Sequence, residues 1–156
     1  MTAAEQLLNM ARTKGFMVAT AESCTGGMVS AALTDIPGSS DVVDRGFVTY
    51  TNEAKMEMLG VRPETLDAYG AVSEETAREM AEGALKNSRA DLAVSITGIA
   101  GPGGSDFKPE GRVCFGVAMA DKGTETETVE FGAIGRSKVR ANSVQHALKM
   151  LISALS

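Results

Sequence analysis

The sequence has no tryptophan, two tyrosines, two cysteines and a single histidine in 156 residues. Cys24, Cys114 and His146 form no C-x-x-C pair and no ligand cluster, so neither a disulfide scaffold nor an ordinary zinc site is expected, and no metal or other cofactor is expected with them. No apolar run approaches the ~20 residues that a membrane-spanning helix needs. Glu5 and Gln6 stand where a secretory signal would be cationic and then apolar. The expected setting is the cytoplasm, with no membrane partner. Basic charge is also scarce: 15 Lys and Arg against 20 Asp and Glu leave a net charge of -5, which together with the paucity of aromatics speaks against nucleic acid as a partner.

What remains is a chain 44% hydrophobic and 22% charged, the size of one domain spanning residues 1–156. Such a chain buries roughly 68–70% of its unfolded surface without cross-links. Ala4, Leu7, Leu8 and Ala11 recur at helical spacing between Thr2, a candidate N-cap, and Gly15, a stop signal. Residues 16–21 form a compact apolar run that ends in Glu22-Ser23-Cys24-Thr25-Gly26-Gly27, with a helix from Met28. After the break at Pro37-Gly38, residues 46–51 read as a strand, and Asn52 as the N-cap of a helix through Lys55 that Gly60 ends. Residues 63–68 suit one or two helical turns; Ser73, followed by Glu74 and Glu75, opens another helix. Residues 91–97 read as a buried strand, 112–120 and 125–131 as an antiparallel hairpin, and the segment from about Ser137 as the last helix. This order describes an α/β fold: an α/β/α sandwich around a mixed, mainly parallel sheet.

Two loops stand out because each follows an apolar strand, where α/β sheets gather their ligands. Residues 22–27 place Ser23, Cys24 and Thr25 at a helix mouth, where free N–H groups and the helix dipole favour an anion or a developing oxyanion. Simple helix capping accounts for the same residues. Residues 97–104 carry four glycines in seven positions from Gly98 to Gly104, and positive φ lets successive N–H groups converge on a phosphate or carboxylate. The order is neither that of a P-loop nor that of a dinucleotide fingerprint, so ATP and NAD do not follow; an ordinary surface loop is the alternative.

Tyr50 and Lys55 form a third cluster. In the first turn of its helix Lys55 has its ammonium disfavoured by the dipole, and a neutral amine is a base. Serine needs such a partner to lose its proton, and lysine substitutes for histidine in that task. A surface lysine beside Glu53 and Glu57 is the plain alternative. Cys24 competes as nucleophile if the helix terminus depresses its pKa. Arg136 and Arg140 lie one turn apart and either face a phosphate or are solvated. His146 falls beside Asn142 and Lys149 on a polar helix face and is expected to be solvent-exposed.

The stretches Ala21–Gly27, Pro37-Gly38-Ser39-Ser40, Val48–Lys55, Gly70-Ala71-Val72-Ser73-Glu74 and Thr97–Gly104, in that order, resemble the CinA C-terminal domain family over nearly the whole chain. The resemblance implies an α/β/α fold, a homo-oligomer, and hydrolysis of the carboxamide of nicotinamide mononucleotide to nicotinic acid mononucleotide and ammonia in pyridine nucleotide recycling. It makes Ser23 the nucleophile, with Lys55 and Tyr50 as the other catalytic residues. Glu22, Thr25, Gly26, Gly27, Ser40, Thr97, Gly98, Gly101, Arg136 and Arg140 are then the expected substrate-binding residues, Ser40 also competing as nucleophile. Relatives often read Gly-Asp-Arg at Ile134-Gly135-Arg136, and Lys-Pro-Val-Gly at Lys108-Pro109-Glu110-Gly111, where this chain adds a charge at the rim of the glycine loop. A nucleotide-binding regulatory module without chemistry is the competing function.

Overall fold

The computed structural model describes residues 1–105 and 107–156. Thr2 accepts a hydrogen bond from the Glu5 N–H at 3.2 Å and starts α1 (Ala3–Lys14), which Gly15 ends at φ 70°. The chain then alternates: β1 (Val18–Glu22), α2 (Met28–Thr34), β2 (Val43–Val48), α3 (Asn52–Leu59), α4 (Pro63–Tyr69), α5 (Glu74–Lys86) and β3 (Leu92–Gly98). The hairpin of β4 (Arg112–Met119) and β5 (Glu125–Glu130) follows, and α6 (Arg136–Leu155) closes the fold.

The five strands form one sheet in the order β2-β1-β3-β4-β5. β1 pairs in parallel with both β2 and β3, placing Glu22 opposite Val48 on one side and Ile96 on the other. β3–β4 and β4–β5 pair antiparallel, with Gly98 opposite Val113. The sheet is therefore mixed, and its parallel strands end together at one edge. Ser23, Thr49 and Ile99 continue directly from those ends.

Alternation along β1 sorts the core into two layers. Val18 packs with Leu7, Leu33 and Leu148 from α1, α2 and α6, while Ala19 and Ala21 face Met80 and Ala84 of α5. The alanines, and Gly116 in β4, let α5 lie close against the sheet: a Cβ at Gly116 would come within 2.7 Å of the Ala77 carbonyl oxygen. Helices thus cover both faces, as the sequence pattern indicates.

Three details differ from expectation. The N-cap of α3 is Thr51, whose hydroxyl accepts the Ala54 N–H at 3.0 Å, and Asn52 is already helical. β2 starts earlier than residue 46 and ends at Val48, so Thr49 and Tyr50 leave the sheet and bend over its edge. His146 is half-buried: its ring packs on Phe115 at a centroid distance of 4.6 Å, and Nε2 faces the Glu127 carboxylate at 3.2 Å. Phe115 and Phe131 widen the apolar contact of α6 beyond the stripe visible on its own helical wheel.

Candidate active site

Lys55 is the largest fully buried side chain of the described residues, 1% exposed. Its Nζ lies 3.1 Å from Ser23 Oγ, 3.1 Å from the Thr49 carbonyl oxygen and 3.2 Å from the Tyr50 carbonyl oxygen. Burial pushes its pKa below the ordinary 10.5; Cys24 and Glu53 pull the other way. The surface-lysine alternative is thereby excluded, and desolvation takes the place of the helix dipole as the cause of the shift. Three polar neighbours suit either protonation state. An ammonium donates to all three. A neutral amine donates its two N–H groups to the carbonyls and turns its lone pair to the Ser23 hydroxyl, the arrangement a base requires.

Ser23 is 8% exposed and follows β1 directly, its N–H donating to the Ile96 carbonyl at 2.9 Å. The turn behind it is built around Glu22. This carboxylate is fully buried and accepts from the Thr25 hydroxyl at 2.6 Å and from the N–H groups of Gly27, Val29 and Ser30 at 3.3, 2.9 and 3.0 Å. Glu22 therefore caps α2 from within the chain. Thr25 is buried with it, and the Gly26 N–H donates to the Ser23 carbonyl at 3.1 Å. The expected anion site at this helix mouth is thus filled by the protein's own carboxylate, and Glu22, Thr25, Gly26 and Gly27 lie behind the nucleophile instead of lining the crevice in front of it. Cys24 lines the crevice but is 6% exposed, and burial pushes its thiol up to about 11, away from the thiolate that a cysteine hydrolase needs.

In front of Ser23 and Lys55 opens a crevice of about 330 Å³, walled by Tyr50, Thr97, the glycine-rich loop, Lys108 and Arg136. Thr97, Gly98 and Gly101 line it, with the Thr97 hydroxyl donating to the Ala71 carbonyl at 2.8 Å. Tyr50 contributes in two separate ways. Its carbonyl oxygen faces Lys55 and accepts from the Ser23 hydroxyl at 3.4 Å, while its phenol, on a side chain 59% exposed, accepts from Arg136 at 3.1 Å. The hydroxyl of Tyr50 is therefore not part of the serine–lysine contact.

The two arginines divide. Arg136 lines the crevice and donates to the Gly101 carbonyl at 2.8 Å, whereas Arg140 points behind Ser23 and donates to the carbonyls of Cys24 and Thr25 at 3.0 and 3.4 Å. Ser40 is exposed in the 3-10 turn Ser39–Asp41 that precedes β2. Parallel pairing of β1 and β2 puts it at the opposite edge of the sheet, one strand length or roughly 20 Å from Ser23, and removes it from the site within this chain. Lys108, not singled out from the sequence, also lines the crevice, where its Nζ donates to the carbonyls of Tyr69 at 2.5 Å and Val72 at 2.6 Å. No spacing rule marks it; its approach depends on the loop returning from Gly104 to β4.

An α/β sandwich with a buried lysine on a serine, opening on a glycine-walled crevice at the carboxyl edge of its parallel strands, has the parts of a nucleophilic hydrolase site. The chain belongs to the CinA C-terminal domain family, whose model matches residues 1–155. It is 57% identical over 119 residues to a CinA-like protein of Chloroherpeton thalassium, covering 76% of this chain and 28% of that protein. The chain thus spans about a third or less of such longer relatives. It is 52% identical over 152 residues to the nicotinamide-nucleotide amidohydrolase PncC of Escherichia coli K12, covering 97% of this chain and 92% of that protein. The fold superposes with a TM-score of 0.94 on the crystal structure of the competence/damage inducible protein CihA from Agrobacterium tumefaciens, at 52% identity over 98% of this chain and 93% of that one.

Proposed function

We propose that this chain is an amidohydrolase that converts nicotinamide mononucleotide to nicotinic acid mononucleotide and ammonia, using Ser23 as nucleophile and Lys55 as general base. The observation that carries the proposal is the Nζ–Oγ distance of 3.1 Å at a buried lysine whose other two neighbours are both carbonyl acceptors. The near-full-length likeness to PncC supports the substrate.

In this mechanism neutral Lys55 takes the Ser23 proton as Oγ bonds to the carboxamide carbon. The resulting ammonium lies beside the tetrahedral oxyanion and stabilises it. Lys55 then passes its proton to the departing nitrogen, ammonia leaves, and an ester to Ser23 remains. A water molecule, deprotonated by Lys55, attacks that ester, and the proton returns to Ser23 Oγ as the carboxylic acid is released. The Tyr50 ring forms one wall for the pyridine ring. The phosphate lies toward the glycine loop, between Arg136 and Lys108. The reaction as read needs no cofactor, and it belongs to pyridine nucleotide recycling in the cytoplasm, with the chain acting as a homo-oligomer.

Ammonia release from nicotinamide mononucleotide, nicotinamide riboside and nicotinamide tests the reading. The wild-type protein is expected to favour the mononucleotide, and Ser23→Ala to lose about three orders of magnitude or more in kcat while remaining folded. Near-normal turnover by Ser23→Ala would remove Ser23 as nucleophile. Binding of the nucleotide without ammonia release would instead fit the regulatory module.

A further inference from the structure

The glycine-rich loop already carries an anion of the protein's own. Glu110, on the segment that returns from the loop to β4, accepts the Gly103 N–H through Oε1. The same carboxyl group packs over Gly101, where an added Cβ would come within 2.7 Å of the carboxyl carbon. Gly101 and Gly103 both have positive φ, 95° and 80°, the backbone geometry that turns N–H groups toward an anion. Two cationic side chains, Lys108 and Arg136, wall the same crevice. A carboxylate therefore already sits on the loop toward which the proposed substrate presents its phosphate.

We propose that Glu110 is a resident counter-anion of the glycine loop that an incoming phosphate monoester must displace, so that Glu110 sets how strongly phosphorylated substrates are preferred over unphosphorylated ones. The inference rests on the reading of the crevice as a nucleotide amidase site. Its physical basis is competition: one N–H cannot serve both the carboxylate and a phosphate oxygen, and two anions on one loop repel. Swinging Glu110 outward frees the Gly103 N–H and takes a negative charge off the loop.

Glu110→Gln separates charge from support, because the amide oxygen still accepts the Gly103 N–H. Two readouts are measured on the whole chain: the dissociation constant of inorganic phosphate by calorimetry, and KM for nicotinamide mononucleotide against nicotinamide riboside. Glu110→Gln is expected to tighten phosphate binding and lower KM for the mononucleotide about three- to tenfold, leaving KM for the riboside and kcat within twofold. Glu110→Ala is expected to act in the same direction. Unchanged or weaker phosphate binding in Glu110→Gln, or tightening for the riboside to the same extent, would overturn the proposal and leave Glu110 a strut of the loop. The phosphate measurement needs no turnover, so it separates failure of this inference from failure of the amidase reading.

Discussion

Two loops meet at the edge of the sheet, and they are held in opposite ways. The turn from Glu22 to Gly27 is locked from inside: one buried carboxylate receives four donors and Arg140 holds two of its carbonyls, so Ser23 is fixed before any ligand arrives. The glycine-rich loop has no such interior. Pro102, Gly103 and Gly104 are exposed, and two side chains from elsewhere in the chain, Arg136 and Glu110, hold it from outside. A nucleophile requires a position set to fractions of an ångström. A surface that admits and releases a substrate requires contacts that can be exchanged.

The largest way to break this contrast is to unlock the serine turn. Glu22→Gln keeps the volume but replaces one acceptor oxygen with a donor, so that with the amide oxygen at the Oε1 position the Ser30 N–H loses its acceptor and faces a second donor. It is expected to cost about 1–3 kcal/mol of unfolding free energy, and to lower kcat by up to about 100-fold through displacement of Ser23, with a smaller change in KM. Denaturant unfolding and steady-state kinetics on the same preparation check this; a stable Glu22→Gln protein with full kcat would show that the turn holds itself. The smaller test lies on the other loop. Tyr50→Phe removes the phenol that accepts from Arg136 but keeps the carbonyl that faces Lys55. It is expected to leave kcat within about threefold and to raise KM modestly, by the worth of one exposed hydrogen bond. A collapse of kcat would give the Tyr50 hydroxyl a part in the proton transfer.

Much of this arrangement can be read in the sequence, and the exceptions have physical causes. Ser23 and the glycine loop are legible because each follows a buried strand, and Lys55 is legible as helical although the cap lies one residue earlier, at Thr51, than the sequence suggests. Burial of Lys55 is not legible: Glu53 and Glu57 beside it suggest solvent, and only the bend of Thr49 and Tyr50 over the sheet edge covers it. The distance of Ser40 from Ser23 within this chain is not legible because it depends on which end of β2 Ser40 precedes, and that follows from the parallel pairing with β1. Glu22 misleads because a cap that reaches forward five to eight residues, from a strand to a helix, is outside the usual N-cap pattern; its signal is an acidic residue ending an otherwise apolar strand just before a helix. His146 turns inward because aromatic rings of the hairpin reach it, a contact no helical wheel contains.

The proposed mechanism needs an uncharged amine at Lys55, and burial has a definite sign for a lysine: it disfavours the ammonium, so the folded pKa lies below 10.5 and the fraction of free base grows as pH rises through it. The direct measurement is a heteronuclear NMR titration of the lysine side chains, carbon-13 labelled at Cε, with Lys55→Arg used to assign the Lys55 resonance. That resonance is expected to titrate below 10.5 and in step with the rise of kcat/KM. A Lys55 resonance that titrates at or above 10.5 would contradict it.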